Sequence, residues 1–207
     1  MSYDEHDAAM DEMYERIGEE LYPEHRVQAI GEFTAERLSS YYQTNPMVMR
    51  PAVDALQEAK RLSANGHFPA TVVFCATTIE LLLKATLLQP IVYGLVHNDG
   101  LAEIIVKHAV GQTGFDRYRN LLSRLFQELA NLDIANVCRQ GTTAALIDEC
   151  RLVQDLRNGI IHKGHSCDAA AAQNAYDVAV AVFDQVVVHV LWELGLAVGE
   201  KGRIEPR

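Results

Sequence analysis

Apolar residues recur every three or four positions through most of this 207-residue chain, and the stretches between patterned segments are short. No other feature narrows the fold so far. In HFPATVVFCATTIELLLKATLLQP the stripe runs Val72, Val73, Ala76, Ile79, Leu83 and Leu87. Just before it, AVDALQEAKRLSANG places Val53, Leu56, Ala59 and Leu62 on one face, with Gly66 as the natural stop. Only Gly66 to Pro69 separates the two segments, so the spacing predicts antiparallel neighbouring helices.

The same period continues on both sides. EHRVQAIGEFTAERLSSYYQ spaces Val27, Ile30, Phe33 and Leu38 for a helix to about Gln43, closed by TNP. Residues 90–114 are less regular; part of GLAEIIVKHAVG reads as helix and the rest as loop. FDRYRNLLSRLFQELANL turns Leu121, Leu122, Leu125, Phe126 and Leu129 inward. CRQGTT interrupts the pattern, and TAALIDECRLVQDLRNGIIH begins another helix with Thr142 or Thr143 as its N-cap. A last helix spans about Asp168 to Leu196, with Tyr176, Ala179, Val182, Phe183, Val186, Val187, Val190, Leu191 and Leu194 inward. Its Val-rich centre would suit a strand, but its length and Ala-rich start favour helix. The expected fold is all-α: an up-down helical bundle of four to six helices with an N-terminal helical extension.

Charge divides the chain unevenly. Residues 1–24 hold nine acids against Arg16 alone, whereas the remaining 19 acids face 17 bases. The organisation is therefore an acidic N-terminal extension (1–24), a bundle (25–198) and a C-terminal tail (199–207). The extension is a short helix or a disordered leader closed off by Pro23; it is either solvated or laid over a basic cleft. The acidic total argues against broad electrostatic binding of nucleic acid, while a near-neutral body leaves room for a local basic site. Cys75, Cys138, Cys150 and Cys167 form no CxxC pair, no signal peptide is visible, and no run of about 18 uncharged apolar residues occurs. The chain reads as cytoplasmic, with reduced thiols and no membrane association.

One stretch departs from the helical pattern. DLRNGIIHKGH, Asp155 to His165, crowds Arg, Asn, two His and two Gly together. Arg and His five apart are a weak signal alone: 13 Arg and 8 His in 207 positions give about half a match by chance. Arg61 and His67, one residue further apart, sit in the turn between two helices. Around Arg157 the context is richer, with polar Asn158 next, two apolar residues before His162, and long helices on either side.

With the upstream IELLLK step bearing Glu80 and Lys84, residues 50–196 resemble the HEPN superfamily of helical bundles. That superfamily is marked by an R-x4–6-H motif with a polar residue, often Asn, after the Arg, and RNGIIH fits it. The resemblance implies a metal-independent endoribonuclease, of the toxin or phage-defence type, needing no cofactor. It also implies a homodimer in which motifs from two protomers face one cleft, RNA as substrate, and a cognate antitoxin or defence-system partner. The residue types suit that chemistry. RNA cleavage by the 2′-OH needs a proton carrier that works near neutral pH, which His162 supplies. It also needs a cation for the phosphorane, which Arg157 supplies bidentately. Asn158 would hold a phosphate oxygen or fix the Arg geometry. Glu80 would face the motif helix and orient Arg157, with Lys84 beside it. Lys163 and His165 would add positive charge for RNA phosphates.

Plainer readings stand beside these. Arg157 and His162 also suit the C-terminal end of a helix stopped by Gly159 or Gly164. Glu80 and Lys84 also suit a surface i,i+4 pair. Cys150, His162, His165 and Cys167 have a spacing that matches no common zinc site. Some family toxins carry Tyr two residues after the motif His, where a partner enzyme modifies it; here that residue is Gly164. In an ideal helix Arg157 and His162 lie roughly 140° apart and about 7.5 Å along the axis. They converge only if the helix ends or bends between them, or if a second chain completes the site. The alternative function is a non-catalytic helical module for dimerisation, partner or nucleotide binding.

Overall fold

The computed structural model describes residues 5–96, 99–107, 122–123, 125–127 and 130–207, without the side chains of residues 5–9, 11–12, 15, 17–24, 27 and 99. The fold is an all-α helical bundle with one small two-stranded sheet. Helix α1 spans Glu5–Thr44, α2 Arg50–Ala64, α3 Phe68–Leu95, α4 Asp99–Ile105, α5 Leu146–Lys163 and α6 Ala169–Glu193. Residues 122–123, 125–127 and 130 are helical as well. Of the side chains expected inward there, Leu122 and Phe126 are fully buried and Leu125 is partly buried against the core; Leu121 and Leu129 lie outside the described residues.

α2 and α3 are the expected antiparallel pair. The face that α2 buries is the small one, Ala52, Ala55 and Ala59, with Val53, Leu56 and Leu62 only partly covered. Short side chains let the two backbones approach, and α3 then packs on both α5 and α6.

Pro90 reads as the end of α3, yet the helix runs on to Leu95. The physical reason lies one turn earlier. Residues Leu81–Leu88 are wound as a π-helix, in which the Gln89 amide bonds the Lys84 carbonyl. Pro90 has no N–H to offer the Thr86 carbonyl four residues back. The buried Tyr42 hydroxyl of α1 donates to that oxygen instead, at 2.7 Å. Arg37 Nε caps the helix end by donating to Gly94 O at 3.1 Å. A Cβ on Gly94 would lie 2.9 Å from Leu38 Cδ2, so glycine is what admits α1 here. A second π segment, Phe183–Val187 in α6, lies against the first.

Two expectations for α1 change. The helix continues through Pro23, so no break separates the acidic extension from the remainder of α1. Leu38 and Tyr42 enter the core, but Ile30 and Phe33 are 56% and 51% exposed; Val27 lies outside the described side chains. Other boundaries shift too. Ala145, with no capping side chain, precedes α5 in place of Thr142 or Thr143. α6 starts where expected, capped by Asp168 Oδ1 accepting from the Ala171 amide at 2.8 Å, but it ends at Glu193. Residues 196–206 then form a hairpin of β1 (Leu196–Val198) and β2 (Ile204–Pro206), antiparallel with Val198 opposite Ile204. The Ile204 amide bonds Pro46 O at 2.8 Å, and the Arg207 guanidinium stacks 3.4 Å from the Trp192 ring centre.

Among the described residues α3 and α6 are long and apolar enough to cross a membrane. More than half of the apolar stretch in α3, and half of that in α6, is buried inside the bundle. Their hydropathy is that of core helices.

Candidate functional site at the C-terminal end of helix α5

The inward stripe of α5 runs Leu146, Cys150 and Val153, and the next position on that line is Arg157. Arg157 is accordingly half-buried, where the core gives way to solvent. His162 is exposed. The helix neither ends nor bends between them, continuing unbroken to Lys163. Their Cα–Cβ directions therefore diverge by roughly 140°.

The length of the arginine side chain closes part of that gap. Arg157 Nη1 donates to Asn158 Oδ1 at 2.9 Å. Asn158 and His162 are four residues apart and share a face. The guanidinium is thus drawn round to the side on which His162 stands, and Asn158 is what holds it there. Lys163 is exposed beside them and, like the His162 side chain, makes no hydrogen bond or ion pair among the described residues.

Gly164 ends the helix in the left-handed conformation, φ 66°, its amide bonding Ile160 O at 3.2 Å. This turn folds the chain back, so that the His165 amide reaches Gly159 O at 3.2 Å and its ring lies on Gly159. A Cβ at residue 159 would stand 2.8 Å from His165 Nδ1. Of the two glycines, Gly164 is the stop and Gly159 is the seat of an imidazole.

Lys84 Nζ donates to Glu80 Oε1 at 2.7 Å, with Lys84 13% and Glu80 43% exposed. Glu80 makes no hydrogen bond to Arg157.

Sequence reasoning missed a second polar group at the other end of the same helix. Arg139 grips Glu149 with two bonds, Nε to Oε2 at 2.8 Å and Nη2 to Oε1 at 2.6 Å, and Nη2 also donates to Asn174 Oδ1 at 2.7 Å. Both charged side chains are nearly buried, at 15% and 10% exposure. The bond to Glu149 is the main cause that raises the Arg139 pKa above its ordinary value. The available signal was an acid on the inward side of LIDEC, which has to find a partner.

Three of the four thiols are chemically quiet. Burial pushes Cys75 up to about 12 and raises Cys150 and Cys167 as well, so these sulfurs stay protonated near neutrality. Cys150 faces the core whereas His162 and His165 face solvent, so the Cys150–His162–His165–Cys167 set does not converge. No group of three or more His, Cys, Asp or Glu is placed to hold a metal among the described residues. Comparison with known proteins finds no family model, no curated protein and no solved structure that matches the chain.

Proposed function

We propose that this chain is a cytoplasmic, metal-independent endoribonuclease of the toxin or phage-defence type, acting as a homodimer. The observation that carries the reading is the Arg157–Asn158 bond at 2.9 Å, which turns the guanidinium toward the face that bears His162. In this reading the 2′-oxygen attacks the adjacent phosphorus, Arg157 stabilises the added negative charge, and His162 carries a proton. Asn158 positions Arg157, and Lys163 attracts the phosphate backbone. The divergent Cβ directions are the reason for a second protomer, which sets one chain's Arg157 against the other's His162.

Incubating RNA with the protein in EDTA tests the activity. Wild type cleaves, and Arg157→Ala and His162→Ala do not, while far-UV circular dichroism stays unchanged. Cleavage by either variant at the wild-type rate would overturn the assignment. Mixing the two inactive variants tests the sharing. If the site is composite, random reassortment makes half the dimers mixed, each with one intact site, and about a quarter of the activity returns. If nothing returns, both residues act within one chain.

The divergence also favours the second reading, a non-catalytic helical module for dimerisation, partner or nucleotide binding. Leu152, 66% exposed on α5, suits such a surface. That module would leave RNA intact and be indifferent to Arg157→Ala.

A further inference from the structure

Gly159 and His165 account for each other, and together they set a second imidazole on the turn that precedes His162 on α5. Residues three apart on a helix share a face, their Cβ atoms about 5–6 Å apart. Helical side chains lean toward the N-terminus, so His162 leans over the turn that holds Asn158 and Gly159. The His165 ring rests on that same turn. From a Cβ built at residue 159, Nδ1 lies at 2.8 Å and Cε1 and Cγ at 3.5 Å, which leaves Nε2 as the ring nitrogen facing away from the helix. Gly159 lies on the outer side of α5, yet it is buried under this ring. Two hydrogen bonds fix the turn that brings the ring there, Gly164 N to Ile160 O and His165 N to Gly159 O, both at 3.2 Å. The charged and titratable groups nearest the two histidines along the chain are Asp155, Arg157 and Lys163 of α5, with Cys167 and Asp168 on the segment entering α6.

We propose that His165 is a second proton-handling catalytic residue of the same site, dividing with His162 the two proton transfers of RNA cleavage. The inference rests on the endoribonuclease reading and assigns His165 more than phosphate attraction. One imidazole takes the proton from the 2′-oxygen as that oxygen bonds to phosphorus. The other, as imidazolium, gives a proton to the 5′-oxygen as the P–O5′ bond breaks. The products are a 2′,3′-cyclic phosphate and a 5′-hydroxyl, and the two rings end with their protonation states exchanged, which water resets. Imidazole is the side chain suited to both tasks between pH 5 and 8.

The test is the pH profile of kcat/KM on a fluorogenic oligoribonucleotide in EDTA, for wild type, His162→Gln, His165→Gln and Gly159→Ala. Wild type gives a bell. His165→Gln loses about 100-fold at the optimum together with one limb of the bell. Loss of the acid limb makes His165 the base, loss of the alkaline limb makes it the acid, and either supports the proposal. Gly159→Ala, whose Cβ displaces the ring, loses the same limb while its circular dichroism stays that of wild type. If His162→Gln is inactive but His165→Gln keeps both limbs and stays within about threefold of wild type, the second imidazole is dismissed and the nuclease stands. If wild type itself leaves the substrate uncut, both fall together.

Discussion

At the N-terminal end of α5, Glu149 is nearly buried and its two carboxylate oxygens accept from Nε and Nη2 of Arg139, which also binds Asn174. At the C-terminal end of the same helix, Arg157, Asn158, His162, Lys163 and His165 stand at the surface, sharing a single side-chain hydrogen bond. The residue types are alike, but the valences are not. A nearly buried ion pair, with both carboxylate oxygens bonded, ties a loop to two helices and turns its charges on each other. An open cluster on a capped, unbroken helix keeps its donors and acceptors free while the scaffold fixes where they are. The first arrangement is structural; the second is available for chemistry.

Substitutions at the two ends should separate these roles. The largest effect is expected for His162→Ala, a loss of two to four orders of magnitude in RNA cleavage, read in a single-turnover assay. Its urea midpoint should match wild type, since an exposed side chain without partners is removed. Arg139→Ala should lower unfolding free energy by about 3 kcal/mol, because it strands a nearly buried carboxylate; urea denaturation measures it. Replacing both partners, Arg139→Met with Glu149→Leu, should recover most of that loss, since no unpaired charge remains. A double variant as unstable as the single one would show that the network does more than hold the loop.

Smaller effects sharpen the contrast. Gly159→Ala gains helix propensity but displaces the His165 ring, so its stability should move by less than about 1 kcal/mol. Its cleavage rate should fall with that of His165→Gln. Glu80→Gln should cost about 0.5 kcal/mol, the worth of a partly exposed i,i+4 pair, and change cleavage less than twofold. A larger loss of cleavage would give Glu80 the role of orienting Arg157.

The bundle was legible in the sequence because packing repeats. Val72, Ala76, Ile79, Leu83 and Leu87 announce their helix several times over, and each is buried apart from the half-covered Val73 beside them. Where one tertiary contact overrides a local rule, the pattern fails. Pro90 reads locally as a helix stop, but π winding before it and the Tyr42 hydroxyl, 44 residues from the carbonyl it satisfies, accompany the continuation. Ile30 and Phe33 fit an amphipathic stripe yet are about half exposed, because periodicity does not tell how much of a stripe is covered. The candidate site divides the same way. Arg157, Asn158, His162 and Gly164 were readable as neighbours in sequence. The seating of His165 on Gly159 depends on the geometry of the turn, and the Arg139–Glu149–Asn174 network joins residues far apart in the chain.

The contrast between the two ends of α5 is tested most directly by assaying His162→Ala and Arg139→Ala side by side, in EDTA, for RNA cleavage and urea unfolding. The expected result is a crossed pattern. His162→Ala keeps the wild-type unfolding curve and loses cleavage, whereas Arg139→Ala unfolds at lower urea yet cleaves at the wild-type rate where it is folded. Full cleavage by His162→Ala, or a folded but inactive Arg139→Ala, would contradict it and place the chemistry at the other end of the helix.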